Sequence, residues 1–72
     1  MIKLQNNVKK IRKEKGITQQ ELAELCNLSR SRIADIEGTK SKPERISLGT
    51  AFMLAEILET DIISLFSTKD SD

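Results

Sequence analysis

A chain of 72 residues with two Phe, no Trp or Tyr and one Cys makes a single small domain that cannot form an internal disulfide. It contains no His, and no apolar run approaches the roughly 20 residues needed to cross a bilayer, so membrane spanning and His-based metal or acid–base chemistry are excluded. The formal net charge of +1 hides a division: residues 1–45 hold eleven Lys/Arg against six Asp/Glu, net +5, and residues 46–72 hold one Lys against five acids, net −4.

The apolar pattern has helical period along almost the whole chain, with a core drawn from Leu, Ile, Val and Ala. Leu4, Val8 and Ile11 share one face of a first helix expected from about Asn7 to Lys15, which Gly16 stops. Thr18-Gln19-Gln20-Glu21 has the form of a capping box, in which the Thr hydroxyl and the Glu carboxylate each accept from the other residue's backbone N–H. It starts a second helix near Gln19 that buries Leu22, Ala23 and Cys26, partly covers Leu25, and ends near Asn27, a residue that tolerates the left-handed conformation. Ser29 caps a third helix that runs to Glu37 and buries Ile33 and Ile36, leaving Arg30, Ser31, Ala34 and Asp35 outside. Gly38 closes it, and Thr39 to Ile46 reads as a basic loop around Pro43. Ser47 caps a fourth helix with Leu48, Ala51, Phe52, Ala55 and Leu58 turned inward, and Asp61 caps a last one from Ile62 to Phe66. The expected fold is all-α, a compact five-helix bundle over residues 1–66, followed by a short flexible polar tail over 67–72.

Two short helices joined by about three residues, the second exposing small and basic side chains, form a helix-turn-helix. Its second helix suits a DNA major groove about 12 Å wide, where outward side chains meet base edges. Arg30, Ser31, Arg32 and Asp35 meet that requirement, and Ala34 lies one turn on from Arg30.

The stretch Gly16 to Leu25, followed by Leu28 to Glu37, resembles the lambda-repressor-like (Cro and XRE type) helix-turn-helix family. The resemblance continues through Leu54-Ala55 and Leu65-Phe66, over about residues 7 to 66, and it combines Thr-Gln, Glu-Leu-Ala, Ser-Arg-Ser and Ile-Glu in one register. It implies that Gln19 and Ser29 contact DNA phosphates, with Arg32 beside them. Arg30 and Ser31 would read bases, with Ala34 and Asp35 facing the groove, and Lys40 and Lys42 would hold the backbone. It also implies a structural salt bridge between Arg12 and Glu37. An Arg30 guanidinium could pair with guanine O6 and N7, worth roughly 1–3 kcal/mol of discrimination. Asp35 could accept from cytosine N4 or hold Arg32 in place. The loop from Gly38 to Ser47 is longer than the family pattern, and this loop carries Lys40, Lys42 and Arg45.

Plainer roles compete at several positions. Cys26 falls on a buried face, where a free thiol behaves as a small hydrophobe. Lys9, Lys10, Lys13 and Lys15 form either an electrostatic footprint or a solvated helix face. Ile63 belongs to the core or to a dimer surface. There is no Gly-rich phosphate loop, no metal cluster and no imidazole to activate the Cys, so an enzyme, a cofactor and a metal site are not expected.

The expected function is a sequence-specific transcriptional regulator, a repressor in the first instance, reading duplex DNA as a homodimer on a pseudo-palindromic operator. No membrane partner and no small-molecule ligand is expected, since no effector domain fits in 72 residues. The single Cys and the absence of a signal-like apolar block at the N-terminus suit the cytoplasm of a bacterium, with the gene bacterial or phage-borne. The alternatives are a DNA-binding antitoxin, a restriction-modification controller, or a protein-interaction adaptor on the same fold.

Overall fold

The computed structural model describes residues 2–38 and 42–70. In chain order it contains β1 (Ile2–Leu4), α1 (Val8–Glu14), α2 (Gln19–Cys26), α3 (Arg30–Glu37), a 3-10 turn (Pro43–Arg45), α4 (Leu48–Ile57), α5 (Ile62–Leu65) and β2 (Thr68–Asp70). The five-helix body expected from the sequence is present, with side-chain caps where Ser, Thr and Asp were expected to supply them. Thr18 accepts from the Glu21 N–H, Ser29 from Arg32, Ser47 from Thr50 and Asp61 from Ser64. Each cap satisfies a donor that the first helical turn would otherwise leave unpaired.

The turns follow from residues that accept positive φ. Gly16 has φ +70° and open space around the position of a Cβ, so backbone conformation and not crowding selects glycine there. Asn27 ends α2 at φ 56° and ψ 40°, which turns the chain from α2 into α3. Glu59 also lies at φ 54°, after α4, without glycine's freedom. Left-handed strain of roughly 1–2 kcal/mol exceeds the entropic cost of glycine, roughly 0.5–1 kcal/mol. Glu59→Gly is therefore expected to raise stability by about 0.5–1 kcal/mol and Tm by a few degrees in thermal unfolding.

One core joins the helices. Val8 comes from α1, Leu22, Ala23 and Cys26 from α2, Ile33 and Ile36 from α3, and Ala51, Leu54 and Ala55 from α4, with Leu58, Leu65 and Phe66 closing it. Burial pushes the Cys26 thiol up from its ordinary pKa, in keeping with a packing role.

Three expectations give way. Leu48 and Phe52 do not point inward but are 70% and 57% exposed, and Leu25 is 59% exposed. Helix α4 is apolar nearly all round, so its period cannot select a face; the buried stripe runs through Ala51, Leu54, Ala55 and Leu58. Leu4 belongs to a strand and not to the first helix. Finally, Thr68–Asp70 is a strand and not part of a flexible tail: it pairs antiparallel with β1 in the register Ile2–Asp70, Lys3–Lys69 and Leu4–Thr68. The cause is a polar latch at its base. The Gln5 N–H donates to the Ser67 carbonyl at 2.7 Å, and Asn7 N–H to the Leu65 carbonyl at 2.9 Å. The Asn7 amide donates to Ser64 O and Ser67 Oγ at 2.9 and 3.1 Å.

Candidate nucleic-acid interface

Helix α3 is held from behind by Ile33 and Ile36, both essentially inaccessible to solvent. At about 100° per residue, this buried side leaves Ser31, Ala34 and Asp35 as the outward stripe, with Arg30 and Arg32 on opposite shoulders about 160° apart. All five are exposed. Small side chains at the centre let the helix approach a surface closely, and long cations at its shoulders reach sideways. No ion pair joins Arg32 to Asp35, so Asp35 does not fix Arg32 in the free protein.

The C-terminal end of α3 is tied to the two helices before it. Glu37 accepts from Arg12 Nε at 2.6 Å and Nη2 at 3.1 Å, with the two side chains 8% and 2% exposed. Arg12 Nη1 donates to the Ile17 carbonyl at 2.8 Å, and Glu37 Oε1 also accepts from Gln19 Nε2 at 3.1 Å. One buried carboxylate thus fixes α1, the start of α2 and the end of α3 together. The Gln19 contact was not legible in the sequence, because it depends on how α2 crosses the end of α3. On the other side, the Asn6 amide donates to the Ile36 carbonyl, anchoring the same end of α3 to the segment before α1.

The α2 cap is a complete box: Glu21 N–H donates to Thr18 Oγ1 and Thr18 N–H to Glu21 Oε1, both at 3.0 Å. These Thr18 bonds hold the Glu21 carboxyl below its ordinary pKa, and the Ser64 N–H does the same for Asp61. For depressed carboxylates of this kind, the caps contribute fully above the ordinary range and are lost as pH falls through the lowered values.

Two open clefts flank α3. One, of about 450 Å³, lies where α1 turns into α2 and is lined by Lys13, Thr18, Gln19, Gln20 and Arg30. The other, of about 370 Å³, lies between α3 and the 3-10 turn and is lined by Arg32, Asp35, Lys42 and Arg45 over Ile36 and Ile46. Gln19 and Arg30 thus share one cleft, and Arg32 and Lys42 the other; Ser29 is exposed and engaged in its cap. Lys40 lies outside the described residues. Lys13, one of the four lysines that suited either an electrostatic footprint or a solvated face, lines the first cleft, and Arg45 lines the second beside Lys42; Gln20 is a cleft residue with no contact role expected from the sequence. Among the described residues, no group of His, Cys, Asp or Glu could hold a metal, and no helix is long and apolar enough to cross a membrane.

Comparison with known proteins bears on the fold and the family. The immunity repressor protein of Bacillus phage phi105 is 51% identical over 41 residues, which are 57% of this chain and 28% of that relative's length. The chain therefore matches less than a third of that protein. The crystal structure of SinR, the master regulator for biofilm formation, in complex with DNA, superposes with a TM-score of 0.72 at 27% identity, covering 82% of this chain and 90% of that one. The helix-turn-helix family model matches residues 8–65, which span α1 to α5, and the chain belongs to that family, in its Cro/C1 type.

Proposed function

We propose that the chain is a sequence-specific DNA-binding transcriptional repressor that lays α3 in the major groove. The observation that carries this reading is the outward stripe of α3: Ser31, Ala34 and Asp35 lie between two arginines on a helix whose back is locked into the core. Ala34 leaves room for a base-pair edge, Ser31 can donate or accept, and Asp35 can accept from cytosine N4. Arg30 reaches a guanine from its shoulder, while Gln19, Ser29, Arg32, Lys40 and Lys42 serve the phosphates. The phage repressor that resembles the chain and the DNA-bound structure that it matches support the same reading.

The protein acts as a homodimer on a pseudo-palindrome, with half-sites about one helical turn, roughly 34 Å, apart. Ile63, 79% exposed on α5, is a candidate for the dimer surface. Occupying the operator excludes RNA polymerase.

Selection from random duplex DNA at two salt concentrations tests this reading. The expected product is one inverted repeat, bound with an affinity that falls steeply as salt rises, because each phosphate contact releases counterions. Recovery of no sequence at either salt would overturn it.

A further inference from the structure

Three consecutive polar residues between β1 and α1 bond to different parts of the molecule. Gln5 Oε1 accepts from Ser67 Oγ at 3.1 Å, and the Asn7 amide donates to Ser64 O and Ser67 Oγ, so both clasp the chain around the end of α5. Asn6, between them, turns instead to α3: its amide donates to the Ile36 carbonyl, while its Oδ1 accepts from the Val8 N–H at 3.1 Å. One half-buried side chain thus serves the last turn of α3 and the first turn of α1. Both ends need it. Asn7 stands at the N-cap of α1 but gives it no side-chain bond. Asn27 closes α2 in the left-handed conformation and returns its N–H to Ala23 and Glu24, whereas Gly38 leaves α3 extended, at φ −65° and ψ 152°, and returns one bond, to Asp35. The Ile36 carbonyl is among those that a helix leaves without a partner at its end, and its donor comes from Asn6, 30 residues away.

We infer that Asn6 is a positioning residue for the reading helix and that the clasp of the two chain ends sets it. With Gln5 and Asn7 bonded to Ser64 and Ser67, Asn6 stands where it holds the last turn of α3; opening the clasp lowers operator selectivity in a protein that stays folded. This rests on α3 being the DNA reader and adds what holds its far end in register. That turn carries Asp35, and Ile36 and Gly38 line the same cleft as Arg32. A reader that populates its competent arrangement only part of the time loses affinity in proportion to that fraction. The Arg12–Glu37 pair still ties the end of α3 to α1, so loss of Asn6 loosens the turn without releasing the helix.

The test compares Asn6→Asp, Asn6→Ala and Asn7→Ala, each bound to the selected operator and to a random duplex well below its Tm. Asn6→Asp keeps an acceptor for the Val8 N–H and puts a negative charge at the N-terminus of α1, which suits that helix, but it has no N–H for Ile36. Its added charge weakens both duplexes alike, so the ratio of operator to random-duplex affinity isolates positioning. That ratio should fall about three- to tenfold in both Asn6 variants, the worth of one net hydrogen bond, with helical circular dichroism unchanged. Asn7→Ala, which removes no helix cap, should lower the ratio in the same direction. It should also weaken the NMR coupling across the hydrogen bond from Asn6 Nδ2 to the Ile36 carbonyl carbon, which is measured without DNA. An unchanged ratio in the Asn6 variants, or parental coupling and ratio in Asn7→Ala, overturns the inference and leaves the repressor reading in place. Should an Asn6 variant fail to fold, Asn7→Ala decides alone. A parent protein that prefers no duplex overturns the repressor reading itself, before any variant is compared.

Discussion

Glu37→Ala should cost about 3–5 kcal/mol of folding stability, as expected when one partner of a buried ion pair is removed. The substitution strands the Arg12 guanidinium, whose side chain is 8% exposed, with the Ile17 carbonyl as its remaining acceptor. It also releases Gln19 from its bond to Oε1. Small domains hold only about 5–15 kcal/mol in total, so the loss is a large share of what keeps this one folded. At about 4–8 °C per kcal/mol for this size, Tm should fall by more than about 12 °C in thermal unfolding followed by circular dichroism. A fall of only a degree or two would show that water already screens the pair.

The double variant Arg12→Met, Glu37→Leu separates stability from function. Replacing both charges by apolar groups of similar volume leaves no uncompensated ion, so most of the lost stability should return. The Gln19 amide would still lack its acceptor. Folding recovered without full DNA affinity is therefore the expected outcome, read by comparing Tm with operator binding. The pair then serves less as a source of net stability than as a means of fixing Gln19 relative to α3.

The helix boundaries were legible because local chemistry sets them. A Thr or Ser followed three residues later by a free N–H fixes a start, and Gly16 and Asn27 fix ends, whatever the rest of the chain does. The outward stripe of α3 was legible for the same reason, since Ile33 and Ile36 leave only one orientation. Helix α4 was not, because Leu48, Phe52, Leu54 and Leu58 offer several apolar faces and only packing against α2 and α5 selects one. The terminal ribbon escaped as well. Two three-residue strands carry no periodic signal, and their pairing depends on hydrogen bonds between residues about sixty positions apart. The clefts fall in the same class: Arg45 stands at the flank of α3 at the end of a 3-10 turn whose placement no residue pattern encodes.

Arg30→Ala should relax one base position of the operator, with a loss of discrimination of about 5- to 150-fold, equivalent to roughly 1–3 kcal/mol for a bidentate guanine contact. The guanidinium has no carboxylate partner among the described residues, so nothing holds it against the protein. Its place at the first position of α3 puts it at the end of the helix that meets base edges in this class of reader. Repeating the selection with the variant checks this directly: a guanine required by the parent should become any base, with the rest of the repeat unchanged. A uniform loss of affinity with every base preference intact would remove Arg30 from the base-reading set and leave it as a wall of the Lys13 cleft. Asp35→Ala supplies the opposite sign. Removing a carboxylate that the phosphates repel should raise nonspecific affinity while lowering the cytosine preference, because a carboxylate gains in the groove only where it accepts from an exocyclic amine such as cytosine N4. Opposite effects on affinity from two residues of one exposed helix could not arise from damage to the fold, and would locate the reading surface on α3 itself.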